Sequence, residues 1–333
     1  MKQLISNSNF EIDMDTKTVT EILRIAADID SQGFTQFEKE AEQQIVLGKM
    51  LYGATSHDHK ICNLVAAHLG MQAVDLSWVD VGLKDSATLL DELRMNSEVV
   101  DLLITAFSSH ETFGDGRRLT TKFPQSSDVP VISLHDDFYD WQSSLSQIFG
   151  FQKQLGDLRG KQIVVNWAFG SSFLSPAIAH SFVIASALLG ANIRVVAPPE
   201  FSLLNRARKK AKEITEEAGS KFEETSVFAD AFGDADAVFT LNWFRLDDFN
   251  HPERNSKFVD KYKDWYMAPE ILSRSCFFST EPPLQIGVTL SPELAQDPRN
   301  LSGSWLARRV HVLAATIAHV LRESMNEGIV SVV

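Results

Sequence analysis

Cysteine is nearly absent from this chain, which has only Cys62 and Cys276 among its 333 residues. Two cysteines cannot form the disulfide framework of a small secreted domain, and they show no metal-type spacing. No apolar run approaches the ~20 residues that a membrane-spanning helix needs. The segment Met1–Asp13 lacks the basic start and apolar core of a signal peptide. We therefore expect a protein of the reducing cytoplasm without a membrane partner.

Basic residues are outnumbered, with 31 lysines and arginines against 44 aspartates and glutamates and a net charge of −13. Such a surface repels nucleic acid and anionic lipid, so neither is expected as a partner. An anionic substrate would need a locally positive pocket. The hydrophobic content of 44% is typical of a soluble globular protein, and the length suits two domains.

The most informative segment begins with an apolar run at Ile163–Trp167, which a polar, serine-rich loop follows. Ser175 and Pro176 then predict a helix start, with the serine as N-cap and the proline at the first helical position. This helix is expected to end at Gly190, before a second apolar run at Ile193–Val196. The pattern predicts a βαβ unit whose loop lies at the strand's carboxyl end, where open parallel sheets bind small molecules.

The rest of the chain alternates in the same way, which predicts the α/β class with two parallel sheets. Helices are predicted at residues 19–29, 60–69, 86–95, 137–151, 176–189, 203–218 and 307–322. Strands are predicted at residues 45–52, 73–76, 99–106, 129–134, 163–167, 193–196 and 237–241. Residues 251–265 are polar and are expected to form a long loop.

Three segments together resemble one family. They are residues 158–168 with the later His180-Ser181-Phe182, residues 234–243, and the Arg308-Arg309-Val310-His311 run near the end of the chain. In this order they resemble the carbamoyltransferase superfamily, and most closely its branch that carbamoylates acylated ornithines. The third segment resembles the family's terminal Asn-Arg-x-His helix.

The resemblance implies a particular organisation. It predicts a carbamoyl-phosphate-binding-like α/β domain at 1–150, an amino-acid-binding-like α/β domain at 151–306, and a terminal helix at 307–333 that returns to the first domain. It also implies a homotrimer with active sites shared between subunits, and a knot in the second domain. Knots are otherwise nearly absent from proteins.

The family's donor motif is changed in this chain. Where the family has Ser-Thr-Arg-Thr-Arg, the matching residues are Thr55-Ser56-His57-Asp58-His59. Both arginines are histidines, and the carboxylate of Asp58 would oppose a bound phosphate by a few kcal/mol at an effective dielectric constant of ~20. The same carboxylate could instead occupy the helix N-terminus as an internal substitute for phosphate.

Other family positions have changed as well. Of the family's His-Pro-x-Gln motif only Gln142 remains, and of its His-Cys-Leu-Pro loop, matched near residues 280–283, only the last proline remains. The family's arginine after the third strand falls near Ala106. Arg309 is retained as a carbonyl contact. Most of the phosphate and carbonyl chemistry is therefore replaced.

The resemblance assigns a role to each candidate site residue. The predicted catalytic residues are His57, His59 and Gln142. The predicted substrate-binding residues are Thr55, Ser56, Asp58, Trp167, Asn242, Trp243, Thr280 and Arg309. No cofactor is expected.

Each of these residues also has a simpler interpretation. The histidines can be solvated on a loop, Gln142 can be an amide on a helix surface, the tryptophans can be core, and Arg309 can form a surface pair. A metal site from His57, His59 and residues 135–137 is a weaker alternative, because no ligand spacing supports it.

Two functions follow from this pattern. The first is a transferase that joins an amino-acid-type amine to an activated carbonyl donor, which would not be ordinary carbamoyl phosphate. Such catalysis depends on positioning and on stabilisation of the oxyanion. The second is an inactive relative that serves as a binding or regulatory subunit, because the site rather than the fold determines function.

Overall fold

The structure is a computed structural model that describes residues 14–34, 45–76, 86–108, 113–125 and 127–326. The chain forms two compact units: unit 1 contains Met1–Gln142 and Arg309–Val333, and unit 2 contains Ser143–Arg308. The predictions for Met1–Asp13 and for residues 327–333 lie outside the described residues. Within the described ranges, no helix has the length and apolar character needed to cross a membrane.

Unit 1 is built on a four-stranded parallel sheet with the strand order β2-β1-β3-β4. The strands are β1 (Val46–Tyr52), β2 (Gln72–Asp75), β3 (Leu102–Phe107) and β4 (Val131–Asp136). The central strands β1 and β3 are buried except at the first residue of β1, as expected for strands whose two faces are covered. The edge strand β4 is also buried along its whole length. All four strands point the same way, so their carboxyl ends lie along one edge of the sheet.

Among the described residues of unit 1, four helices connect these strands or precede them: α1 (Thr16–Gln32), α2 (Ser56–His68), α3 (Ser86–Ser97) and α4 (Asp115–Lys122). α1 buries one apolar stripe that includes Val19, Ile22 and Ile29, as its helical spacing predicts. The carboxylate of Asp15 caps this helix by accepting from the Thr18 amide at 2.7 Å.

Unit 2 contains a five-stranded parallel sheet with the strand order β7-β6-β5-β8-β9. The strands are β5 (Gln162–Trp167), β6 (Asn192–Val196), β7 (Phe222–Thr225), β8 (Ala237–Leu241) and β9 (Phe277–Thr280). The main helices are α6 (Ala177–Leu188) and α7 (Asn205–Ala218), followed by the short α8 (Ser256–Val259) and α9 (Pro292–Ala295). The structure confirms the prediction of two parallel-sheet α/β domains.

Two helices carry the chain between the units. α5 (Trp141–Leu155) begins in unit 1 and continues in unit 2, and α10 (Trp305–Asn326) begins in unit 2 and continues in unit 1. α5 starts four residues later than predicted. The reason is a turn in which the carboxylate of Asp136 accepts from the amides of Phe138 and Tyr139 at 2.7 and 2.9 Å.

The structure corrects several other local predictions. Ser175 is not the N-cap of α6: Pro176 holds that position, and the Ser175 hydroxyl accepts from the Ala177 amide at 3.2 Å. The segment 251–265 is not a plain loop, because it includes α8 and short 3-10 turns. The predicted strands and helices did not include β7, β9 or α4.

Candidate functional site

The carboxyl edge of the unit 1 sheet is where polar side chains gather. α2 begins immediately after β1, and its first turn is closed by a capping box. The Thr55 hydroxyl accepts from the Asp58 amide at 3.3 Å, and the Asp58 carboxylate accepts from the Thr55 amide at 2.7 Å. This reciprocal cap starts the helix four residues earlier than apolar spacing predicts, because it satisfies amides that would otherwise lack partners.

Asp58 is a buried carboxylate, with 2% of its surface exposed. It also accepts from the Thr55 hydroxyl at 2.6 Å and from Nη2 of Arg309 at 2.8 Å, and Nε2 of His135 lies 3.6 Å away. Burial opposes ionisation, but His135, Arg309 and the Thr55 hydroxyl together hold the pKa of Asp58 well below its ordinary value. Asp58 is therefore a fixed negative charge at the N-terminus of α2.

Gln142 and Arg309 bind each other at the same place. Nε of Arg309 donates to Oε1 of Gln142 at 2.5 Å, and Nε2 of Gln142 donates to the Arg309 carbonyl at 2.8 Å. Gln142 is fully buried and Arg309 is 3% exposed, so Gln142 is not a surface amide and Arg309 is not part of a surface pair. Thr55, Asp58, Gln142 and Arg309, four of the predicted residues, thus form one cluster in unit 1.

Arg308 binds residues of unit 2, whereas its neighbour Arg309 binds Gln142 and Asp58 in unit 1. Its guanidinium donates to the carbonyls of Ser146 and Leu301 and to Oε1 of Gln147, all in unit 2. Burial lowers the pKa of Arg308 to about 10. The structure therefore separates the two arginines, of which only Arg309 contacts Asp58.

The two predicted catalytic histidines are on the outside of the first turn of α2. His57 is exposed, and His59 is partly exposed with Nδ1 3.5 Å from Asp75. Ser56 is also exposed. Among the described residues, His59 forms no hydrogen bond or ion pair with the Asp58 carboxylate.

The structure does not support the alternative metal site. Asp136 binds Arg117 at 3.0 Å, and Asp137 accepts from the amides of Gly114 and Gly116. Within the part of the chain that the structure describes, no group of three histidine, cysteine or acidic side chains is arranged to hold a metal ion. These carboxylates instead fix the loop around the start of α4.

One further pair at this edge was not among the predicted site residues. Ser108, the first residue after β3, lies with its hydroxyl 2.9 Å from Nδ1 of His135 in β4. Ser108 is partly exposed, whereas His135 is 8% exposed. A polar residue directly after a buried parallel strand is the signal that could have identified Ser108.

The predicted residues of unit 2 lie at the carboxyl ends of β5 and β8. Trp167 Nε1 donates to the Trp243 carbonyl at 2.9 Å, and Trp243 Nε1 donates to the Phe201 carbonyl at 2.8 Å. Both tryptophans are almost fully buried. The contacts are those of core residues that support the strand ends.

Asn242 directly follows the last residue of β8. Its Nδ2 donates to the Ala168 carbonyl at 2.6 Å. Its Oδ1 is buried and has no hydrogen-bond partner among the described residues, and an unsatisfied buried acceptor is costly. This oxygen is therefore a position where a donor group on a ligand would be stabilised.

Asn242 lines a small cleft in unit 2 together with residues from β8, β9 and the following loop. The other lining residues are Leu174, Thr240, Leu241, Thr280, Glu281, Pro283, Gln285, Thr289 and Leu290. Glu281 accepts from Nε2 of Gln147 at 2.7 Å and from Nε1 of Trp305 at 3.0 Å. The cleft thus presents a carboxylate that two neutral groups hold in place.

Comparison with known proteins finds that this chain is similar to carbamoyltransferases. The family model "Aspartate/ornithine carbamoyltransferase, Asp/Orn binding domain" matches residues 175–317. N-acetylornithine carbamoyltransferase from Xylella fastidiosa (strain 9a5c) is 26% identical over 59% of this chain and 60% of its own length. The anabolic ornithine carbamoyltransferase from Pyrococcus furiosus is 25% identical over 77% of each chain.

Solved structures show the same fold. The crystal structure of N-acetyl-L-ornithine transcarbamylase has a TM-score of 0.82 and 21% identity, and the match covers 96% of this chain and 100% of that one. The crystal structure of acetylornithine transcarbamylase complexed with acetylcitrulline also has a TM-score of 0.82 and 21% identity, with 96% and 99% covered. At 21% identity the similarity shows the fold alone, so any ligand of this chain has to be inferred from its own residues.

Proposed function

We propose that this chain is a member of the aspartate/ornithine carbamoyltransferase superfamily, and that it joins an amino-acid-like amine to an activated carbonyl donor other than carbamoyl phosphate. The residues near 1–150 would hold the donor and those of 151–306 the amine, and the terminal helix would supply Arg309 to the donor side. In keeping with the family resemblance, the proposal includes a homotrimer in the cytoplasm and needs no cofactor.

The position of Asp58 carries this proposal. A dianionic donor would be bound at the N-terminus of a helix with guanidinium groups around it. Here that N-terminus holds the carboxylate of Asp58, and Arg309 already pairs with it. Two like charges within about 4 Å oppose each other by a few kcal/mol even at an effective dielectric constant of about 20. A less charged carbonyl donor avoids this cost.

The cleft in unit 2 supports an amine as the second substrate. Oδ1 of Asn242 and the carboxylate of Glu281 are acceptors that line it, and an amino or ammonium group supplies the matching donors. Thr280 lines the same cleft. Trp167 and Trp243 would act indirectly by holding the strand ends on which Asn242 lies.

Ligand-induced thermal stabilisation tests the proposal, because a bound ligand stabilises a protein by mass action. We expect amino acids and acylated ornithines to raise the melting temperature, and millimolar carbamoyl phosphate or inorganic phosphate to leave it unchanged. The triple variant His57→Arg, Asp58→Thr, His59→Arg should gain phosphate binding. Saturable binding of carbamoyl phosphate by the unaltered protein would contradict the proposal.

The pairing of Arg309 with Gln142 favours a second candidate function, that of a non-catalytic binding protein. Arg309, the expected carbonyl contact, and Gln142, a predicted catalytic residue, are bound to each other, and Arg309 is also bound to Asp58. This arrangement favours a non-catalytic member that binds an amino-acid-like ligand for regulation or assembly. In that case amino acids would still stabilise the protein, but product would not form with any of a panel of esters, thioesters and carbamoyl donors.

A further inference from the structure

Three neighbouring side chains of unit 1 lead from a buried carboxylate to a partly exposed hydroxyl. Asp58 Oδ2 lies 3.6 Å from Nε2 of His135, and Nδ1 of His135 lies 2.9 Å from the Ser108 hydroxyl. Asp58 is 2% exposed, His135 is 8% exposed and Ser108 is partly exposed. The order of a carboxylate, an imidazole and a hydroxyl is that of an activated serine nucleophile, which geometry rather than chain position identifies.

We propose that Ser108 is a nucleophile that accepts an acyl group from an uncharged, activated ester or thioester, with His135 as its general base and Asp58 as the group that orients His135. This proposal deepens the proposed function, on which it rests for the transfer of the acyl group to an amine. The formation of the acyl-serine itself needs only unit 1.

The surroundings of Asp58 suit it to the orienting role. Thr55 and Arg309 hold its carboxylate through three hydrogen bonds, so that it cannot turn away from His135. With Nε2 protonated and facing Asp58, Nδ1 of His135 is an acceptor for the Ser108 proton. The Ser108 amide donates to the Tyr52 carbonyl at 3.0 Å, which fixes the serine backbone against the end of β1.

The acylation step conserves atoms and charge. The Ser108 oxygen attacks the carbonyl carbon while its proton passes to Nδ1 of His135. The bond from this carbon to the alcohol or thiol oxygen or sulfur then breaks, and the leaving group takes the proton from His135. The products are an ester of Ser108, a free alcohol or thiol, and a neutral His135.

The second step reverses these proton movements. An amine attacks the ester carbonyl and gives one proton to Nδ1 of His135. The bond between the carbonyl carbon and the Ser108 oxygen breaks, and this oxygen recovers the proton. The amine becomes an amide, and water in place of the amine would give a carboxylic acid.

Three charged groups face His135 from different elements: Asp58 at the start of α2, Asp140 before α5, and Arg309 in α10. Burial disfavours the imidazolium, but the contact with Asp58 prevails and raises the pKa of His135 above its ordinary value. The base form of His135 therefore becomes more abundant as the pH rises, and acylation of Ser108 should accelerate with it before levelling off.

Diisopropyl fluorophosphate tests the nucleophile directly, because the serine oxygen displaces fluoride from phosphorus and no amine takes part. We expect intact-mass spectrometry to find one diisopropylphosphoryl group per chain, located on Ser108 by peptide mapping. Hydrolysis of p-nitrophenyl acetate should show the same dependence. Ser108→Ala should abolish labelling, and His135→Gln should slow it about 100-fold or more, which is the usual contribution of a general base.

Two further variants keep the outcome clear. Ser31→Ala is the matched control, since Ser31 is an exposed serine in α1 whose hydroxyl donates to the Asp28 carbonyl, and it should be labelled as fast as the unaltered protein. The variant Ser108→Cys places a thiol beside the unaltered His135. Because the imidazole should lower the pKa of this thiol, we expect it to react with iodoacetamide at a lower pH than an ordinary cysteine does.

The proposal is overturned if the folded protein takes up no label, or takes it up on another residue. It is also overturned if the Ser108→Cys thiol titrates like an ordinary one while circular dichroism shows a native fold. Neither result concerns the binding of amines in unit 2 or the exclusion of carbamoyl phosphate, so the proposed function would stand without a serine intermediate. Conversely, labelling of Ser108 would persist if amines failed to bind.

Discussion

Arg309 and Asp58 are 251 residues apart in the chain, yet Nη2 of the arginine lies 2.8 Å from Oδ1 of the aspartate. Both side chains are at most 4% exposed. The family's donor site is expected to hold an anion at this helix N-terminus, and here the protein supplies that anion itself. Oδ2 of the same carboxylate lies 3.6 Å from Nε2 of His135, so under the proposed function Asp58 would both oppose a bound phosphate and support an imidazole.

Asp58→Asn should destabilise the protein strongly. The change leaves the buried Arg309 guanidinium without its charged partner, and breaking a buried pair in this way costs about 3–5 kcal/mol. Urea unfolding followed by circular dichroism would measure the loss. Asp247→Asn is the matched control, because Asp247 pairs with Arg245 at 3.0 Å but is 84% exposed, and exposed pairs contribute about 0–1 kcal/mol.

The double variant Asp58→Leu with Arg309→Met completes this measurement. Replacing both members of a buried pair by apolar groups is often neutral, so the double variant should be more stable than Asp58→Asn alone. Equal stability losses in Asp58→Asn and Asp247→Asn would show that the ion pair does not contribute in the way described.

Apolar spacing and strand-end polarity predict much of this fold. The runs that become β1, β3, β5 and β8 are apolar and bounded by turn residues, which the periodicity detects. β7 is missed because Phe222–Thr225 is half glutamate and lies partly exposed at the sheet edge. Its pairing with β6, rather than its composition, makes it a strand.

The candidate site is predictable in part for a related reason. The family resemblance brings Asp58, Gln142 and Arg309 to one place although they are far apart in sequence. It cannot say that they bind one another, because that depends on side-chain packing and on the absence of the family's arginines. Ser108 and His135 have no counterpart in the family motifs quoted, so only their juxtaposition across β3 and β4 reveals them.

The contribution of the Asp58–His135 contact to stability should depend on pH in two directions. The depressed pKa of Asp58 gives stabilisation above about pH 4 that is lost as the pH falls toward its folded-state pKa. The raised pKa of His135 gives stabilisation that is complete below about pH 6.5 and is lost as the pH rises through its folded-state pKa.

His135→Gln should therefore cost the most stability at about pH 5–6, and progressively less above about pH 6.5. Urea unfolding of both proteins at three pH values would give the difference. His251→Gln provides the comparison, because His251 is exposed beside Glu253 and its substitution should change stability little at each pH. A cost of His135→Gln that grew from pH 6 to pH 8 would contradict the assigned direction.

The two cysteines should be unreactive in the folded protein. Burial is the largest cause that raises the pKa of Cys62 and of Cys276 to about 12 each, so almost no thiolate exists at pH 8. We expect 5,5′-dithiobis(2-nitrobenzoate) to detect less than about 0.1 thiol per native chain over minutes and two after denaturation. If either cysteine of the folded protein reacted rapidly with this reagent, that cysteine would be accessible to solvent and the prediction would be wrong.

Asn242→Ala should weaken amine binding more than it weakens the fold. The alanine removes the buried Oδ1 acceptor of the unit 2 cleft, and the loss of one ligand hydrogen bond of about 1.4 kcal/mol corresponds to a tenfold weaker affinity. Calorimetric titration with the amino acid that stabilises the unaltered protein best would measure the change. Asn192→Ala is the matched control: Asn192 also donates its side-chain amide to a carbonyl, that of Gly160 at 3.0 Å, but it lies outside the cleft, so its affinity should stay within about twofold. If the two variants bind the amino acid with equal affinity, Asn242 does not contact the amine. If only Asn242→Ala binds it more weakly, Oδ1 of Asn242 accepts a hydrogen bond from the ligand.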